Sequence, residues 1–131
     1  MRYLCLIHLD EQKLDALPHA ERNALNAAHL DYNDELRTRG HFLLAESLDP
    51  PRTASCVKVR GGKPVVTDGP FAETKEQLAG FYLVDARDLN EAIRIAAKIP
   101  AARVGSVEVR PVRELSVQAN ASDCRQASSG A

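Results

Sequence analysis

Strand patterns outnumber helical ones in this chain, and that imbalance restricts the available folds more than any other feature. Arg2 to Leu9 is an aromatic and aliphatic run that stops at the polar "DEQK", and it reads as a first strand. His41 to Leu48 reads as a second, ended by "DPP", because a proline pair supplies no ladder N–H. Residues 54–67 hold two β-rich arms around Gly61-Gly62, a hairpin whose glycines suit positive φ. Gly80 to Ala86 is a fifth strand, and Ser106 to Val112 alternates polar and apolar as a last one. Between them stand a long helical pattern and a short one. One follows Pro18, carries Leu25, His29, Tyr32 and Leu36 on one face, and stops at Gly40. The other spans "RDLNEAIRIAAKIP", with Leu89, Ala92, Ile93, Ala96 and Ala97 expected on its buried face.

The order strand-helix-strand, hairpin, strand-helix-strand is a split βαβ plan. It predicts an α+β fold, ferredoxin-like, in which an antiparallel sheet carries two helices on one face and a β-hairpin is inserted. The other sheet face has no helix to cover it. Strands 2 and 5 are apolar on both sides, so a second copy packed sheet to sheet, a homodimer, is expected.

At 131 residues the chain fits one domain with a modest core. We place that domain at residues 1–115 and read 116–131, rich in Ser and Ala, as a poorly ordered tail. Net charge is −1, which leaves no electrostatic footprint for nucleic acid or an anionic membrane. Cys5, Cys56 and Cys124 lie far apart, and the apolar start "MRYLCLIH" is too short for a signal or a span. A cytoplasmic protein is expected, with no membrane association.

The densest local signal is "VTDGPFAETKEQLAGFYLVDA", Val66 to Ala86, where Asp68, Glu73, Lys75 and Glu76 surround Phe71. Together with "MRYLCLIH" and "LRTRGHFLLAESLDPP" it closely resembles the DGPF branch of the YCII-related family, over roughly residues 1–115. The resemblance implies a dimeric α+β barrel of ferredoxin-like subunits. It implies a His on the first helix and an acidic residue as an acid/base pair, which here matches His29 by position. It also implies a candidate partner, an extracytoplasmic-function sigma factor. No cofactor is expected.

Several side chains are candidates for chemistry. On the apolar stripe of its helix, His29 should point at the sheet, where an imidazole can move a proton or simply be a core histidine held by one acceptor. In "TDGPF", Asp68 can cap the turn and Gly69 supplies free φ, with "AETKEQ" forming one helical turn. Phe71 is expected to anchor this loop by burial. Asp68 and Glu73 would then be acid/base candidates facing a cavity that His29 borders, with Lys75 as an anion contact. Glu46 breaks the apolar strand "LLAESL" and is a further acid, on the face of Phe42 and Leu44. Arg110 could offset it if their strands are neighbours, and Tyr32 and Phe71 complete the expected ligand contacts. His8, His19 and His41 have no metal spacing, and no nucleophile, phosphate-loop or dinucleotide motif is present.

Three roles remain open: an acid/base enzyme acting on a small molecule, a ligand-sensing or regulatory module, and a structural partner. The enzyme requires His29 within reach of a carboxylate in an open pocket and Phe71 out of solvent. The sensor requires only the pocket. The structural partner requires neither.

Overall fold

A computed structural model of the chain describes residues 1–117. All but the first two residues of the expected tail therefore lie outside the described residues. The fold is α+β. Its main sheet has the antiparallel order β2-β5-β1-β6, from β1 (Arg2–Leu9), β2 (Phe42–Ser47), β5 (Gln77–Asp85) and β6 (Ser106–Pro111). This is the split βαβ arrangement: the helical crossovers bring strands that are distant in sequence to either side of β1. The strands β3 (Ser55–Arg60) and β4 (Lys63–Asp68) pair only with each other, as the inserted hairpin.

The short helix α1 (Glu11–Ala16) has no sequence expectation behind it. The "DEQK" that stops the first strand is also the start of this helix: Asp10 is the N-cap, and its side chain accepts the Gln12 N–H at 3.0 Å. The long helix α2 (His19–Thr38) begins at Pro18, whose carbonyl accepts from Glu21 and Arg22. It ends at Gly40, whose φ of 80° is the left-handed turn that glycine tolerates. α3 (Leu89–Ala97) is capped by Asp88, which accepts from the Glu91 N–H, while the Glu91 carboxylate accepts from the Arg87 N–H.

The core lies between the helices and one sheet face. Tyr3, Cys5 and Ile7 of β1 and Tyr82 and Val84 of β5 point at Tyr32 and Leu36 of α2 and at Ala92, Ile95 and Ala96 of α3. The buried stripe of α3 is thus rotated from the expected one: Ile95 is inside and Ile93 is exposed. Tyr32 ties α2 to α3, its hydroxyl donating to the Ile95 carbonyl at 2.7 Å. Among the described residues no helix is long and apolar enough to cross a membrane.

The register in β2 corrects one expectation. An irregularity between Phe42 and Leu44 places Phe42 opposite Val84 and Ala45 opposite Tyr82, so both pack on the core. Leu44 and Glu46 fall opposite Leu83 and Phe81 and face the other way. Phe42 and Glu46 therefore lie on different faces, not on a shared one.

Candidate functional site

Helix α2 sets His29, Asn26 and Asn33 against the β2–β5 edge, where Ala45, Ser47 and Tyr82 close the other side of a cleft of about 410 Å³. The spacing that buries Tyr32 and Leu36 on the sheet side of α2 leaves His29 half buried at the margin of that contact. Its Nδ1 lies 3.1 Å from the Tyr82 hydroxyl. Burial first, and the nearby positive charge of Arg103 second, push the His29 pKa below its ordinary value, so the ring is neutral at neutral pH. Burial pushes the Tyr82 phenol up to about 12, so it keeps its proton.

The tautomer is assigned from the hydrogen-bond network. The Tyr82 hydroxyl has no other acceptor among the described residues, and a buried O–H left without one is costly. Tyr82 therefore donates to Nδ1, and the His29 proton sits on Nε2. That nitrogen makes no hydrogen bond among the described residues, so it is the ring atom left for a ligand. Asn33 lines the same cleft, and its Oδ1 is buried with no hydrogen-bond partner among the described residues.

Of the other candidates only Glu46 also lines this cleft. Glu46 borders it, but its register partner is Phe81, one residue out of step with the Ala45–Tyr82 pair. The pleat sends its carboxylate to the face away from α2. Arg110 is on β6 and Glu46 on β2, the two opposite edges of the sheet, so they are not neighbours; Arg110 instead lies 3.9 Å from Glu108. Tyr32 lines a different depression, with Arg39, Glu91 and Lys98, and its hydroxyl is already committed to a backbone carbonyl.

Asp68, Glu73 and Lys75 border a separate depression of about 730 Å³ with Glu11 and Arg52, and His29 is not part of it. The expected single cavity is therefore two within one chain. Phe71 is 88% exposed, which overturns its expected role as a buried anchor. What holds the loop is polar: the Gln77 amide donates to the carbonyls of Ala72 and Thr74, and the Thr74 hydroxyl donates to that of Glu76. With its carbonyls already satisfied by side chains, "AETKEQ" forms bends and not the expected helical turn.

This geometry sits in a known family framework. The model of the YCII-related domain matches residues 1–116, nearly the whole described chain. The chain belongs to the YCII-related family. An uncharacterised protein of Rhizobium meliloti (strain 1021) is similar to it, 48% identical over 67 residues that make up 50% of this chain and 54% of that protein. The chain thus spans about half the length of the curated relative it matches. For this YCII-related protein, residue type and spacing pointed to His29 but not to its partner. Tyr82 was within reach: it falls in phase with Gly80 and Val84 on a strand, and a tyrosine there needs a partner for its hydroxyl from the helix opposite.

Proposed function

We propose that this protein binds a small, uncharged polar molecule in the α2/β2–β5 cleft, and that His29 is the group that recognises it. One observation carries the reading: a neutral, half-buried imidazole whose Nδ1 is held by Tyr82, which leaves an Nε2–H donor free at the cleft. A ligand fits if it offers an acceptor to Nε2–H, as a carboxamide or a carbonyl does. A carboxylate partner for His29 is what an acid/base dyad would need, and none contacts it among the described residues. Ligand sensing is therefore favoured over catalysis. Any proton transfer in the cleft would fall to the His29–Tyr82 pair alone.

Nuclear magnetic resonance with benzamide as the probe tests this. Binding in the cleft shifts the amides of Asn33, Ala45 and Tyr82 and moves the His29 Nε2 signal, and His29→Ala abolishes both effects. Shifts confined to the Asp68–Lys75 loop, or an unmoved His29 ring, would overturn the reading.

A further inference from the structure

Helix α1 has an apolar side that the chain itself leaves uncovered. It is six residues long and contains no buried residue, too short to stand on its own propensity. Its Leu14, and Leu17 just after it, line a pocket of about 560 Å³. The far wall is the segment that enters β6, where Val104 and Gly105 follow a short 3-10 turn, Pro100–Arg103. A Cβ on Gly105 would collide with the His8 carbonyl oxygen and the Leu9 side chain, so a close backbone approach fixes that wall against the end of β1. Leu9, Leu14, Leu17 and Val104 together give the pocket an apolar lining.

Four charged residues line the same pocket, and their hydrogen bonds divide them into two pairs. Asp10 is 8% exposed and is occupied as the α1 cap, accepting from the Gln12 N–H at 3.0 Å. Glu76 accepts from the Ser106 hydroxyl at 2.8 Å. Both carboxylates thus have a donor within the chain. Lys13 and Arg103 lack the converse, since neither forms an ion pair among the described residues. Arg103 Nε donates to the Pro100 carbonyl at 3.4 Å, which ties the stem to its turn and leaves both terminal amino groups without a partner among the described residues. A lysine and an arginine left unpaired beside an apolar lining are donors for an anion.

We propose that this pocket is a second ligand site, built for an organic monocarboxylate with a compact apolar body, an aryl or short alkyl acid. The leucines and Val104 take the body, and Lys13 and Arg103 take the carboxylate. An inorganic anion would leave the apolar lining bare. A phosphate monoester brings a second negative charge, which would face Asp10 and Glu76 across the same pocket. The site differs from the α2 cleft in the class of ligand it selects: there a neutral imidazole offers one donor, and here two full cations do. A bound acid also supplies α1 with the apolar contact that the rest of the chain withholds.

Benzoate, titrated into the full chain and followed by NMR, tests the site. It should shift the amides of Lys13, Leu14, Val104 and Gly105 and slow amide exchange in α1. Benzamide has the same ring without the charge, and acetate has the charge without the ring. Each should bind at this pocket about ten-fold or more weakly than benzoate. Lys13→Gln with Arg103→Gln, both at exposed positions where the fold tolerates the change, should weaken benzoate by a similar factor. Arg94→Gln with Lys98→Gln, the same loss of charge at the C-terminal end of α3, should leave benzoate binding unchanged. Benzoate shifts confined to other amides would overturn the proposal, as would equal affinity for benzamide or acetate. So would a benzoate affinity that the first pair of substitutions leaves unchanged, or that both pairs weaken alike.

Discussion

Tyr82→Phe isolates the hydrogen bond at the centre of the cleft. Tyr82 is only 3% exposed, and the substitution keeps its ring and its packing while removing one oxygen. That oxygen makes the 3.1 Å bond to His29 Nδ1, of the class that contributes about 1 kcal/mol net. With a urea slope of about 2 kcal/mol/M, typical of a small domain, the midpoint should fall by roughly 0.5 M. Tyr82→Ala would instead open a core cavity and cost about 3–5 kcal/mol. The decisive readout is the ring. Without its donor, Nδ1 loses the reason to stay unprotonated, and the His29 nitrogen shifts should move toward a mixture of the two tautomers. Tyr32→Phe is the control, since it removes a bond of 2.7 Å to the Ile95 carbonyl and leaves His29 alone. If Tyr82→Phe left the His29 shifts unchanged, or if Tyr32→Phe moved them as much, the tautomer argument would fail.

Other perturbations give separate checks. Gly80→Ala puts a Cβ 2.7 Å from the Glu46 carbonyl oxygen, a backbone atom that only a shift of β2 can relieve. It should cost about 1–3 kcal/mol and speed amide exchange across Phe42–Ser47; unchanged exchange in β2 would count against the register. Stability should decline as pH falls below the ordinary imidazole range, because the unfolded chain binds a proton that buried His29 resists. It is fully present above the unfolded His pKa of about 6.5 and is lost on acidification toward the lower folded value. In urea titrations from pH 7 to 5, His29→Gln should flatten that decline, and a slope identical to wild type would refute it. Arg103→Gln removes the nearby charge and should raise the His29 titration seen by NMR, while a lowered or unmoved midpoint would leave burial as the whole cause. Asp10→Ala deletes the α1 cap and should cost about 1 kcal/mol by urea unfolding.

The fold was legible in the sequence wherever periodicity was strong. The apolar runs of β1 and β5 and the stripe of α2 each point to one partner surface, and the split βαβ order follows from them. What escaped was decided by single interactions. The irregularity in β2 depends on one extra residue between Phe42 and Leu44, which no alternation pattern announces, and it moved Glu46 to the far face. Ile95 replaced Ile93 in the core because the buried stripe of α3 runs Ala92, Ile95, Ala96 and on to Ile99, a helical spacing that leaves Ile93 outside. Phe71 looked like an anchor by residue type, yet Gln77 holds the loop through two backbone carbonyls, a role that hydrophobicity does not signal. His29 was legible as an inward-facing histidine on its stripe, whereas its partner depended on strand phase.

The central place of β1 also shapes how the molecule is made. Tyr3 pairs with Val84 on one side and Pro111 on the other, so β1, made before the other strands of its sheet, is the last to have both edges covered. At translation rates of about 5–20 residues per second, β1 waits on the order of several seconds for β6 to be synthesised. Throughout that time it is an apolar strand with an open edge, the kind of segment that pairs with the wrong chain. Such sequence-distant pairing also makes for slow folding once the chain is complete. The nascent protein therefore depends on whatever holds β1 apart from its neighbours in a polysome, and its yield in a cell should respond to translation speed more than its final stability does.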